Sequence, residues 1–269
     1  MLKPIVRALC PPVVLSSIRR IFGQRYGWLG DYPSWSSAAA VSTGYDDGLI
    51  LERVKEAAFR VRNGEAAFER DSVIFQEPQY NWPVLAGLLW SASRNGGRLN
   101  LMDFGGSLGS SYFQNRRFLS TLPFLRWNVV EQKHFVDCGK ELFEDARLRF
   151  YYDVESCVSD AKPDTLLLSS VLQYLESSCE LLDRLIAMKF RVVIIGDTPC
   201  WKGERDRITV QKVPPSIYSA SYPSWVFREE SLIDRMKGEY DLVGSFCNDV
   251  VYSDNVRLKS FILERRADK

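Results

Sequence analysis

The chain has 269 residues, 46% apolar and 13% aromatic, enough for a substantial core and incompatible with a disordered segment. Acids and bases nearly balance at a net charge of +1, which argues against a nucleic-acid binder that works by neutralising phosphates. Six scattered cysteines without a C-x-x-C pair, and a single histidine, argue against a metal site and suit the reduced thiols of a cytoplasmic protein.

The N-terminus, MLKPIVRALCPPVVLSSIRRIFG, falls short of the roughly 20 apolar residues of a membrane span. Pro11 and Pro12 break its apolar run and Arg19 and Arg20 follow it, so it does not read as a secretory signal. Two readings stay open: peripheral attachment to the anionic cytoplasmic face of the inner membrane, or a basic helix docked on its own domain. Residues 24–48 carry four large aromatics before Gly44 and read as an ordered, packed loop. Leu51, Val54, Ala58 and Val61 recur at helical spacing, and Asn63-Gly64 supplies a stop. Pro83 opens a second helix that Asn95-Gly96-Gly97 ends. This divides the chain into an arm and helical extension over 1–80 and one α/β domain over 81–269.

From there strands and helices alternate. Apolar runs at 99–104, 126–130, 148–152, 165–168 and 192–195 read as strands, with helices expected over 110–122, 135–145 and 179–188. Runs without polar alternation suit a parallel sheet covered on both faces. YDLVGSF and RLKSFILE near the end read as a hairpin, which makes one strand antiparallel to the rest. Residues 201–225 read as a long irregular segment. The sequence reads without an internal repeat or a low-complexity tract.

The first strand runs into DFGGSLGSS. Glycine permits a sharp turn and close main-chain approach, and ligands of open parallel sheets bind beyond the strands' carboxyl ends. Gly105, Gly106 and Gly109 do not fit the G-x-G-x-x-G spacing of a dinucleotide site. Asp103, ahead of the loop, suits a ligand with a positive group better than a pyrophosphate. Glu131 ends the second strand 22 residues beyond Gly109, where an acid can accept both ribose hydroxyl protons. Asp153 follows the third strand, where it can meet an adenine amino group or remain a solvated loop residue.

Asp103, the glycine loop, Glu131 and DTLLLSSVLQYL resemble class I S-adenosylmethionine-dependent methyltransferases. ERDSVIF, DFGGSLGSSYF, WNVVEQ, SSVLQYL and SYPSW together resemble a methyltransferase family of bacterial surface-polysaccharide (O-antigen and capsule) biosynthesis. The likeness implies a Rossmann-like fold, with a mainly parallel seven-stranded sheet, a C-terminal antiparallel hairpin strand and a helical N-terminal extension. It implies S-adenosylmethionine as cofactor and a small-molecule or glycan acceptor. Gln132 and Ser169 join the expected cofactor contacts. Where that family tends to carry Asp-Arg-Thr-Pro, this chain has Gly-Asp-Thr-Pro at 196–199, so an Arg contact there is not implied.

Methyl transfer to a hydroxyl asks for alignment and proton removal. Asp197 ranks first as base and His134 second, the latter weighed against a surface residue at a helix start. Arg70, Tyr174, Tyr222 and Trp225 are the candidates for the acceptor; the three aromatics are weighed against a packing role, and Glu69, Arg70 and Asp71 together read equally as an internal ion pair that fixes the extension or as a lid over the cofactor. Two other classes stay in view: an NAD-dependent sugar-modifying reductase, disfavoured by the glycine spacing, and a non-catalytic partner protein that keeps the fold.

Overall fold

The structure is a computed structural model and describes residues 26–44, 47–66, 68–70, 73–75, 77, 80–214, 220–251 and 255–267. The N-terminal arm, Asp71 of the ERDSVIF stretch and Tyr218 of the segment read as irregular lie outside these residues.

The described chain opens with strand β1 (Gly27–Tyr32) and a short helix α1 (Trp35–Ala40), where an ordered loop is expected. Ser34 starts α1 as half of a capping box with Ser37. Helix α2 (Asp47–Arg62) and a small hairpin, β2 (Phe68–Arg70) and β3 (Val73–Phe75), follow. The N-terminal segment is therefore not purely helical. Asn81 caps α3 (Trp82–Arg94): its side chain accepts from Val84 N at 3.2 Å, and Pro83 gives up an N–H that would have no helical partner.

The alternating section then runs β4 (Arg98–Phe104), α4 (Ser110–Leu119), β5 (Phe124–Val130), α5 (Lys133–Leu142), β6 (Leu148–Tyr151), α6 (Val154–Ala161) and β7 (Thr165–Ser169). A 3₁₀ turn at Leu172–Tyr174 and α7 (Ser178–Ala187) lead into β8 (Val192–Trp201). Beyond it the segment read as irregular holds two strands, β9 (Arg207–Lys212) and β10 (Ser221–Arg228). Helix α8 (Glu229–Met236) and the hairpin of β11 (Tyr240–Val251) and β12 (Arg257–Arg265) complete the chain.

Five parallel strands stand in the order β6-β5-β4-β7-β8, and β12 joins β8 antiparallel with β11 outside it. These seven strands are the expected Rossmann-like sheet. The observed sheet has ten strands, because β10, β9 and β1 extend it as an antiparallel flap. The flap meets the main sheet at the end of β8, where Phe227 and Arg228 pair with Cys200 and Trp201.

Both faces of the central strands β4, β7 and β8 are buried, which is why their runs lack polar alternation, whereas the edge strand β6 alternates. Leu101, Trp127 and Ile194 face one core with α2, α3, α4 and α5. Met102, Val193 and Ile195 face the other, with α6, α7 and α8. Val54, Ala58 and Val61 of α2 share the first core with the sheet, so this helix is packed into the domain. The strand order reverses between β4 and β7, and at such a switch point adjacent loops diverge and leave a crevice.

Candidate functional site

That crevice is a cavity of about 910 Å³ across the carboxyl ends of β4 to β8. Asp103, Gly105, Gly106, Glu131, Gln132, Asp153, Ser169, Tyr174, Asp197 and Tyr222 all line it. The sequence-predicted residues thus converge from five strand ends, although they span nearly half the chain. Four predicted residues do not line it or cannot be placed there. Gly109 turns the backbone into α4 at φ 87°, and a Cβ there would fall 3.0 Å from Leu148. His134 stands outside the lining residues, half-buried with its ring 4.8 Å from Phe135 and Nε2 without a hydrogen-bond partner. Trp225 belongs to a different wall, since its Nε1 donates to Leu175 O at 3.0 Å and Glu176 O at 3.2 Å. The backbone of Arg70 pairs with Val73 in the small hairpin; its side chain lies outside the described residues.

The glycine loop and two acids form one unit. Asp103 is 1% exposed, and Trp127 Nε1 donates to its Oδ2 at 2.9 Å. Burial pushes its carboxyl up to about 7 against the lowering pull of the Trp127 bond, and the charge of Glu131 adds to the rise. The loop lies directly over it: a Cβ on Gly106 would sit 2.5 Å from Asp103 Oδ2. Gly105 turns at φ 72°, its N–H donating to Val130 O at 2.9 Å, and a Cβ there would fall 2.5 Å from Val171 Cγ2. Both glycines therefore answer to geometry that no side chain tolerates. Gly105→Ala is expected to cost about 1–3 kcal/mol in urea unfolding and to close part of the cavity to ligand.

Glu131 is half-buried at the mouth of the loop. Burial raises its carboxyl, while hydrogen bonds from the backbone of Gln132 and Ser107 and the nearby His134 pull it down. The loop main chain and the Glu131 carboxylate are thus tied together at one side of the cavity. Asp153 caps α6, accepting from Ser156 N at 2.7 Å and Ser156 Oγ at 2.9 Å, and these bonds hold its carboxyl below the usual range. It remains exposed at the cavity wall, beside Tyr152.

Opposite the loop stands Asp197, inside β8 rather than after it. Lys259 pairs with Thr198 and Phe261 with Ile195, so Gly196 and Asp197 face Ser260 alone. This is a β-bulge, and Asp197 occupies the left-handed region at φ 45° within it. Bulges re-aim side chains, and strain of this kind collects at functional sites. Ser260 Oγ accepts from Asp197 N at 3.1 Å, and Asn81 Nδ2 donates to Asp197 Oδ2 at 2.8 Å. Asn81 is a cavity residue that sequence reasoning missed. Asn-x-Pro at a helix start was the available signal, but it pointed to a cap and not to a partner 116 residues away. Thr198, beside Asp197, is fully buried and faces away from the cavity's lining set. Tyr174 and Tyr222 meet edge-to-face at 5.3 Å and form an aromatic wall of the same cavity.

The residues fit S-adenosylmethionine by their chemistry: a carboxylate pair at the end of β5 and under the loop, and main chain where side chains are sterically barred. Among the described residues no group of three metal-ligating side chains converges.

No protein-family model matches the chain, and no curated protein matches it. Solved structures do. One is the Burkholderia thailandensis 1,6-didemethyltoxoflavin-N1-methyltransferase with 1,6-didemethyltoxoflavin and S-adenosylhomocysteine bound: 12% identity, TM-score 0.46, 91% of this chain and 97% of that one. Another is the N-methyltransferase NodS of Bradyrhizobium japonicum in complex with S-adenosylhomocysteine: 14% identity, TM-score 0.44, 68% of this chain and 86% of that one. A third is an S-adenosylmethionine-dependent methyltransferase of Clostridium acetobutylicum: 9% identity, TM-score 0.45, 70% of this chain and 93% of that one. At these scores the likenesses bear no weight, and the fold assignment rests on the strand order itself.

Proposed function

We propose that this chain is an S-adenosylmethionine-dependent methyltransferase whose acceptor is a sugar hydroxyl of a surface polysaccharide or its precursor. The observation that carries the first half is the Glu131 carboxylate tied to a glycine loop that runs over the buried Asp103. In this reading the two oxygens of Glu131 accept from the ribose hydroxyls, and Asp103 supplies negative charge beneath the loop for the ammonium end. Asp153 and Gln132 border the adenine, and Ser169 stands at the adjoining strand end. When bound, S-adenosylmethionine supplies a methyl group activated by a sulfonium. Asp197 takes the acceptor's hydroxyl proton on its carboxylate, with Asn81 holding one oxygen in place. The acceptor half draws on the family resemblance, and the Tyr174–Tyr222 wall suits it, since sugar C–H faces pack on aromatic rings.

Thermal unfolding tests the cofactor. S-adenosylhomocysteine at 100 times its dissociation constant is expected to add about 2.7 kcal/mol of stability, with no shift from NAD. Stabilisation by NAD alone would favour the reductase. Binding of S-adenosylhomocysteine with no turnover on any glycan acceptor would favour the non-catalytic partner.

A second test separates the base from the binding site. Asp197→Asn is expected to lower kcat by about 10²–10⁴ while S-adenosylhomocysteine affinity stays within twofold or so. An unchanged kcat would remove Asp197 from proton transfer.

A further inference from the structure

The tetrapeptide Tyr-Pro-Ser-Trp occurs twice, at 32–35 and at 222–225, and the fold brings the copies together. The rings of Trp35 and Trp225 lie 6.1 Å apart, tilted by 32°. Trp35 lines the main cavity with Tyr222 and Pro223 of the other copy. Trp225 lines a second cavity, of about 510 Å³, with Tyr32 and Pro33 of the first. Each cavity therefore takes Tyr and Pro from one copy and Trp from the other, and the tryptophan pair joins their walls.

The floor of the second cavity follows from strand register. Tyr32 of β1 and Trp225 of β10 both pair with Ile208 of β9, from opposite sides. In-register neighbours project from the same face, so the three side chains form a row about 10 Å across. All three are half-buried, which leaves each with an open face. Both rings are fixed. Gly30 and Asp31 form an irregularity in β1 before Tyr32, and the ring folds back over Gly30, where a Cβ would fall 2.7 Å from Tyr32 Cε2. Trp225 is held by its bonds to Leu175 O and Glu176 O. Around this platform stand Asp31, Arg205 and Asp206. Arg205 donates to Asp31 Oδ2 at 2.7 Å; Asp206 Oδ1 accepts from Arg228 N at 2.6 Å and from Ser231 Oγ at 2.8 Å.

We propose that the second cavity is a carbohydrate subsite. It stacks the C–H face of an uncharged pyranose on the Tyr32–Ile208–Trp225 row and meets its hydroxyls with Asp31, Arg205 and Asp206. A pyranose has one apolar face and a rim of hydroxyls that both donate and accept. An aromatic floor with carboxylate acceptors and a guanidinium donor at its edge matches both parts. A phosphorylated ligand is disfavoured, because two carboxylates outnumber one guanidinium. A purely apolar ligand would strip water from the Arg205–Asp31 pair without replacing its hydrogen bonds. The further step, that this sugar is a second unit of the acceptor whose first unit occupies the main cavity, rests on the methyltransferase reading.

Saturation-transfer NMR on the full chain tests the subsite, with the methyl glycosides of glucose, galactose, mannose and rhamnose as probes. The expected result is transfer to the protons of one ring face, weakened about tenfold in affinity by Tyr32→Ala and by Arg205→Ala. Stabilisation by S-adenosylhomocysteine should be unchanged in both variants. The subsite is overturned if no glycoside shows transfer, or if a folded variant of either kind binds the glycoside as tightly as the parent. Should Tyr32→Ala fail to fold, Arg205→Ala on the exposed rim decides alone. Glycoside binding that depends on these residues, without S-adenosylhomocysteine binding, would keep the subsite and overturn the methyltransferase reading. The reverse pattern would keep that reading and overturn the subsite.

Discussion

An Asp103→Asn variant is expected to be more stable than the parent at pH 8, by up to about 4 kcal/mol, and indistinguishable from it well below pH 4. The reason is the burial of a carboxyl beneath the glycine loop, which lifts it from 3.8 to about 7. Well below pH 4 the group is protonated both in the unfolded chain and in the native protein, so burial carries no ionic penalty. Between about 4 and 7 the unfolded chain releases its proton and the native protein keeps it, so stability falls as pH rises. Above 7 both are ionised and the penalty is fully expressed. The amide keeps an oxygen for Trp127 Nε1 and cannot ionise, so its stability curve lacks this descent. Urea midpoints across the range measure the difference, and parallel curves would show that the carboxyl ionises normally. The same group predicts a binding signature. A cationic ligand end above the loop lowers the Asp103 carboxyl, so binding of S-adenosylhomocysteine near pH 6 should release protons, and Asp103→Asn should abolish that release. Calorimetry in buffers of different ionisation enthalpy reads it directly. An aspartate kept at this cost to stability is one whose charge is used.

Much of this site was legible in the sequence because it depends on strand ends. An apolar run buried on both faces has a visible stop, and Asp103, Glu131, Asp153 and Ser169 all sit at or just past one. What escaped depends on register and on distant partners. β10 contains Pro223, which argues against a strand; it is tolerated because β8 meets β10 only at Phe227 and Arg228, beyond the proline. β1 pairs with β9 across the whole alternating section, Gly27 with Lys212, and nothing local announces that. The two Tyr-Pro-Ser-Trp copies make the point most sharply. The first ends a strand and starts a helix at Trp35, and the second lies wholly within β10. Identical local sequence takes two conformations because the neighbours differ. The bulge at Asp197 exists only against Ser260 of β12, so its strained backbone could not be read from Gly-Asp-Thr-Pro. His134 is the converse case, weighed in the sequence between a base and a surface residue at a helix start. Closeness to Glu131 in sequence did not make it a lining residue of the cavity, since α5 has already begun at Lys133 and turns it away.

Glu131→Gln should bind S-adenosylhomocysteine about tenfold to a hundredfold more weakly than the parent and fold as well as it does. Two ribose hydroxyls are donors, and a carboxylate offers each an oxygen. The amide has nearly the same shape but presents one donor where an acceptor stood. Hydrogen bonds to charged groups contribute about 1.5–3 kcal/mol each, and losing one corresponds to that range of affinity. The surroundings sharpen the expectation. Backbone groups of Ser107 and Gln132 already act on the Glu131 carboxylate, so the amide oxygen is drawn to them and the NH₂ is left to face the ligand. Flipping the amide would exchange one mismatch for another. Folding should be spared, because β5 ends at Val130 and the backbone bond from Glu131 N to Tyr151 O at 3.2 Å does not involve the side chain. Burial raises the Glu131 carboxyl, so the neutral amide removes a desolvation cost and any change in stability should be small or favourable. Calorimetry gives the affinity and circular dichroism the folding control. A folded variant of unchanged affinity would take Glu131 out of the site, and with it the observation on which the methyltransferase reading stands.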